Sequence, residues 1–171
     1  QGVKTCVENG VNVKVLTKRA DFIDNFFGLL ASYGNFDEKQ YREHIAFGFT
    51  LTGHDELERG ASSNIERIGA MEELHNRGYR IFASIEPIVD FPSSMQMING
   101  SLPFCDLYKI GLMSGNGVTY DPVEAQNFLS ELQQLPGQPK IYLKNSLVRF
   151  LGVDRKTLPE NFVESNYNMF G

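Results

Sequence analysis

Residues 45–52 read Ile45-Ala46-Phe47-Gly48-Phe49-Thr50-Leu51-Thr52, an almost unbroken apolar run that closes on hydroxyls. A strand with one wet face alternates apolar and polar residues, whereas a strand covered on both faces does not. The run therefore predicts a buried strand of a parallel sheet. Working outward, four more short segments read as strands: Val13–Thr17, Arg80–Ile85, Leu107–Leu112 and Lys140–Leu143.

Helical patterns fill the gaps. Residues 21–32 place Ile23, Phe26, Phe27 and Leu30 on one face, and Gly34 follows as a stop. Ser63 with Glu66 three residues on is a capping box, opening a helix through Ile68, Met71 and Leu74 that stops at Gly78. A third helix covers residues 92–100. A fourth opens at Asp121-Pro122-Val123-Glu124, with an acidic cap and proline at the first helical position. Its apolar face is Ala125, Phe128, Leu129 and Leu132.

Strands and helices alternating at roughly 25–35 residues imply a parallel sheet with right-handed crossovers. A closed eight-stranded barrel needs about 250 residues, so five strands leave an open doubly wound sheet or part of a barrel. Val3, Cys6 and Val7 share a helical face and Gly10 ends it. That start inside a helix, with its preceding strand upstream of Gln1, favours the second option. The expectation is an α/β chain whose residues 1–153 form a partial parallel (β/α) barrel of about five strands. Residues 154–171 carry little pattern and are expected to wrap the surface as an extension.

Composition narrows the class. Of 171 residues, 42% are hydrophobic and 22% charged, as in globular rather than disordered chains. No apolar run approaches the roughly 20 residues that span a bilayer, and Gln1-Gly2-Val3-Lys4 does not open a secretory signal. A net charge of −5 gives no support to a general nucleic-acid coat, though a local basic groove is compatible with it. The two cysteines, Cys6 and Cys105, stand far apart and form neither a disulfide framework nor a four-ligand zinc site. They read as thiols in a reducing compartment, and the chain as cytoplasmic.

In parallel α/β folds ligands gather at the carboxyl ends of the strands. Those ends carry Lys18, then Thr50, Thr52 and His54, then Ser84 and Glu86, then Lys109, and finally Lys144. Hydroxyls, lysines and a carboxylate on one edge suit a small polar ligand with a carboxylate and sugar hydroxyls. Thr50 and Thr52 also fit a strand as β-branched residues, and Lys18 also reads as a solvated strand end. Glu86 sits between Ile85 and Pro87-Ile88, where a carboxylate requires a partner. His54 reads as a loop residue rather than a metal ligand, and His44 and His75 stand near neither each other nor other ligands in sequence, so no metal site is expected. Ser114-Gly115-Asn116-Gly117 matches neither phosphate-loop pattern and reads as a turn.

Several of these segments resemble the middle barrel strands of radical SAM enzymes, nearest the spore photoproduct lyase and DNA-repair-like branch. The matching residues are Gly48-Phe49-Thr50-Leu51-Thr52, Glu58-Arg59-Gly60-Ala61, Ile65-Glu66-Arg67-Ile68, Gly78 and Ile81-Phe82-Ala83-Ser84-Ile85-Glu86-Pro87-Ile88. Val15-Leu16-Thr17-Lys18 is similar to the preceding strand and residues 107–111 to the last one. Arg59 stands where the family has proline, and Glu86 where it often has a small or apolar residue. The resemblance implies S-adenosylmethionine and a [4Fe–4S] cluster as cofactors of a longer parent. There a Cys-x3-Cys-x2-Cys motif holds the cluster, which cleaves S-adenosylmethionine reductively to a 5′-deoxyadenosyl radical. This chain has no such triplet. It is expected to bind no cluster alone and to have the missing N-terminal half of the same protein as partner. The resemblance also implies roles: Lys18 for the S-adenosylmethionine carboxylate, Thr50 and Thr52 for ribose or methionine, and Ser84 to Pro87 beside the adenine. Glu86 would touch a ribose hydroxyl or the substrate.

Two other readings compete. One is a non-radical (β/α) barrel hydrolase or isomerase with Glu86 and Asp90 as an acid–base pair. The other is a non-catalytic binding domain. Arg67 either pairs with Glu58 or reaches a ligand; sequence leaves both open.

Overall fold

A computed structural model describes residues 1–34, 37–115 and 118–171. The elements run α1 (Gly2–Glu8), β1 (Val13–Thr17), α2 (Phe22–Ser32), α3 (Glu38–His44), β2 (Ile45–Thr50), α4 (Asn64–Asn76) and β3 (Arg80–Ile88). Then come α5 (Phe91–Ser101), β4 (Leu107–Leu112), α6 (Pro122–Gln133), β5 (Lys140–Leu143) and α7 (Asn145–Leu151). All five expected strands form. β2 stops two residues short of expectation and β3 runs three residues longer. Asn116 and Gly117 of the expected turn lie outside the described residues.

The local signals act as their chemistry dictates. The Ser63 side chain accepts from the Glu66 N–H while Glu66 accepts from the Ser63 N–H, closing the capping box of α4. Asp121 accepts from the Val123 and Glu124 N–H groups at the start of α6. Asp90 accepts from the Ser93 N–H and starts α5. α3 and α7, seven residues each, were not legible beforehand. α3 buries only Tyr41 and α7 only Leu147 and Leu151, too few positions to display a period.

The sheet is five-stranded, all parallel, with strand order β1-β2-β3-β4-β5. A doubly wound sheet reverses its order at a switch point. Each strand here lies beside its chain neighbour, as in the wall of a (β/α) barrel. Right-handed crossovers of one sense place the helices on one side and leave a concave side opposite.

Alternation sorts the side chains. Phe47, Phe49, Ile81, Ala83, Ile85, Tyr108, Ile110, Ile141 and Leu143 join the helices in the main core. Tyr79 and Phe47 meet edge to face there, at 5.2 Å between ring centroids. On the opposite side Ala46, Phe82 and Leu107 form a second cluster with Met169, flanked by Tyr142, Val163, Tyr167 and Phe170. Residues 154–171 therefore do more than wrap the surface. Their end lies across the amino-end half of the concave side, anchored where Phe162 bridges Ile141 in parallel. Its apolar residues are spaced irregularly, which hid this burial from a periodicity argument.

Candidate functional site

The register assembles the sequence-predicted residues. Thr50 lies opposite Ser84, Ser84 opposite Lys109, and Lys109 opposite Tyr142. Lys18 follows Thr17, whose partner is Phe49, so it closes the same row on β1. Thr50 and Ser84 are buried. One level nearer the rim, Glu86 meets Lys144 in an ion pair. Gly111 lies beneath that pair: a Cβ there would stand 3.0 Å from Lys144 Cδ and 3.1 Å from Glu86 Oε1. The sequence cue that a carboxylate at Glu86 requires a partner was correct, but the partner lies 58 residues on and no local signal names it.

Behind the row, Glu58 is a node. Its Oε2 accepts from Arg67 Nη2 at 2.5 Å and from the Thr52 hydroxyl at 2.9 Å. Lys18 Nζ lies 2.9 Å from Oε1 but off the line of a well-formed hydrogen bond. Arg67 is wholly buried and donates also to the carbonyls of Thr50 at 2.6 Å and Ser62 at 2.8 Å. The open question about Arg67 resolves to Glu58. Burial pushes the Glu58 carboxyl up, yet the hydrogen bonds from Arg67 and Thr52 and the close Lys18 ammonium outweigh it and hold it below the ordinary value. Asn64 completes the loop: its Oδ1 accepts from the Thr52 N–H, and its own N–H groups donate to Asp55 Oδ1.

A second node lies alongside. His54 Nδ1 stands 2.8 Å from Glu56 and Nε2 2.5 Å from Asp90. A neutral imidazole has one N–H, so two carboxylates require the imidazolium. Hydrogen bonds to Glu56 and then Asp90 accordingly raise the His54 pKa. Burial raises that of Asp90, but the Ser93 N–H and His54 bring it below the ordinary value. Asp90 thus belongs to His54 and the α5 cap, while Glu86 belongs to Lys144. The acid–base pair considered from sequence is two carboxylates, each with its own cation.

No family model, curated protein or solved structure matches the chain.

The site's residues do not fit an iron–sulfur cluster, which needs closely spaced thiolates. Cys105 is buried, and burial pushes its thiol up to about 12. Cys6 lies in α1. Among the described residues no group of three or more His, Cys, Asp or Glu side chains is placed to hold a metal. No helix is long and apolar enough to cross a membrane, again among the described residues. The surface grooves lie elsewhere. One of about 340 Å³ separates α5 from α6 along Phe91, Met95, Glu124 and Phe128. Another of about 480 Å³, along Arg42, His75 and Arg80, sits at the amino ends of the strands.

Proposed function

We propose that this chain is the C-terminal part of a radical SAM barrel and supplies its nucleoside and amino-acid side, the cluster ligands belonging to an N-terminal half. The carrying observation is the row in which Lys18, Thr50 and Ser84 stand at the carboxyl ends of consecutive parallel strands. Lys18 would face the carboxylate of S-adenosylmethionine, with Glu58 setting its position. Thr50 and Thr52 would serve the ribose and methionine, Ser84 and the backbone to Pro87 the adenine. Glu86 would orient a ribose hydroxyl or the substrate, itself held by Lys144. When bound beside a cluster, S-adenosylmethionine supplies radical chemistry; this chain's residues bind, orient and exclude water.

Equilibrium dialysis of S-adenosylmethionine and S-adenosylhomocysteine tests the reading. Saturable binding of both is expected, weakened about tenfold or more in Lys18→Met, since one lost charge contact is worth about 1.4 kcal/mol or more. Binding unaffected by Lys18→Met and by Thr50→Val counts against it. So does a coding sequence upstream of Gln1 without a Cys-x3-Cys-x2-Cys triplet.

A further inference from the structure

The strands hold four cations, Lys14, Arg80, Lys109 and Lys140, and one carboxylate, Glu86. The whole chain has the reverse balance, 16 Lys and Arg against 21 Asp and Glu. Positive charge is therefore concentrated on the sheet of an acidic protein. Alternation says on which side. Lys109 lies between Tyr108 and Ile110, and Lys140 precedes Ile141, all three apolar neighbours fully buried in the helix-side core. Lys14 precedes Val15, which packs against the same core. These lysines project to the concave side.

Some of this charge is already spent. Arg80 donates to the carbonyls of Arg42 and Glu43 and lies over the Phe170 ring. Lys18 is matched by Glu58 and Lys144 by Glu86. Lys109 is not: among the described residues it has no carboxylate partner. Its ammonium stands 4.9 Å from the centroid of the Phe82 ring, half-buried. Gly48 makes room for that ring, because a Cβ there would fall 2.2 Å from it. Burial and then the charges of Lys14 and Lys144 lower the Lys109 pKa. A half-buried ammonium facing like charges is a costly feature that an anion would relieve.

We propose that the concave face binds a phosphate group, with Lys109 as the central contact, Lys144 one level nearer the rim, and Ser84 and Tyr142 flanking it in register. A single carboxylate would neutralise one ammonium. A phosphate carries more charge and three acceptor oxygens, and lysines serve it as point charges. The tail closes the amino-end half of this face, so the group enters from the carboxyl-end rim. Ser84 and Lys144 are shared with the S-adenosylmethionine reading but Lys109 is not, so Lys109→Met and Lys18→Met tell the failure of one reading from that of the other.

Calorimetry and 31P NMR with pyrophosphate at low ionic strength test the site on this chain. Saturable binding is expected, weakened about tenfold or more in Lys109→Met and strengthened in Glu86→Gln, which removes the competing carboxylate from Lys144. Lys4→Met, on α1, should bind like the native chain. The melting temperature of Lys109→Met should equal or exceed the native one, so that lost binding is not lost folding. A short single-stranded oligonucleotide that displaces pyrophosphate assigns the phosphate to a nucleic-acid backbone. Failure to displace it assigns the site to a small phosphate ester. Absence of saturable pyrophosphate binding overturns the proposal, and so does equal binding by the native chain and Lys109→Met.

Discussion

The two halves of the concave face are built from the same strands and behave as opposites. The amino-end half holds an apolar cluster, Ala46, Phe82 and Leu107 under Met169 with Tyr167 and Phe170 beside them, bordered in register by Lys14, Arg80 and Lys140. The carboxyl-end half is polar and open, a row of hydroxyls and lysines backed by ion pairs. One half contributes stability through area removed from water. The other holds charges in a partly desolvated setting, where each must be matched. The tail covers Ala46, Phe82 and Leu107, while Leu16 of β1 on the same side stays 54% exposed.

Breaking the rim should cost most. Arg67→Met removes the buried cation from the Glu58 carboxylate, whose side chain is 5% exposed, leaving it Lys18 and the Thr52 hydroxyl, and is expected to destabilise by about 3 kcal/mol. Chemical denaturation measures this, and Arg67→Met with Glu58→Gln should recover a large part of it. Glu58 also gives acid lability a sign. Its folded pKa lies below the ordinary value, so its contribution is complete above that value and disappears as pH falls through the folded one. If the double variant is no more stable than Arg67→Met, the unmatched charge is not the cause.

Breaking the tail-covered half should cost less. Met169→Ala opens the second apolar cluster near a chain terminus, where the surroundings can collapse, and about 2 kcal/mol is expected. Pyrophosphate binding should survive it, which distinguishes the halves directly. A loss of binding matching that of Lys109→Met would merge them.

The smallest effect should come from His54, held between the exposed Glu56 and the half-buried Asp90. Its folded pKa is raised, so its contribution is complete below the ordinary histidine value and is lost as pH rises through the folded one. The melting-temperature difference between the native chain and His54→Gln should therefore shrink with rising pH. A difference that grows over that interval would contradict the imidazolium bridge.

The strands and four principal helices were legible because each carries a period, a cap or a breaker of its own. The row of site residues was half legible. Lys18, Thr50, Ser84 and Glu86 stand at strand ends by sequence, but their alignment depends on register, which no single segment encodes. For Arg67 the sequence left pairing with Glu58 and reaching a ligand both open, and nothing local told that it would be wholly buried. The Lys144–Glu86 and His54–Asp90 pairs join residues 58 and 36 positions apart. The strand lysines were in plain view. Counting charge by element rather than by chain would have revealed the basic face.

Arg67 and Asn64 have one more implication. Connections between elements are commonly where chains accept insertions and protease cuts. The connection from β2 to α4 is tied at Thr50, Thr52, Glu58 and Ser62 to two side chains of α4's first turns. It is a clasp rather than a spacer. The Thr52 amide, held by Asn64, should exchange with solvent only when the start of the helix lets go, and changes of length would be better tolerated almost anywhere else on the surface.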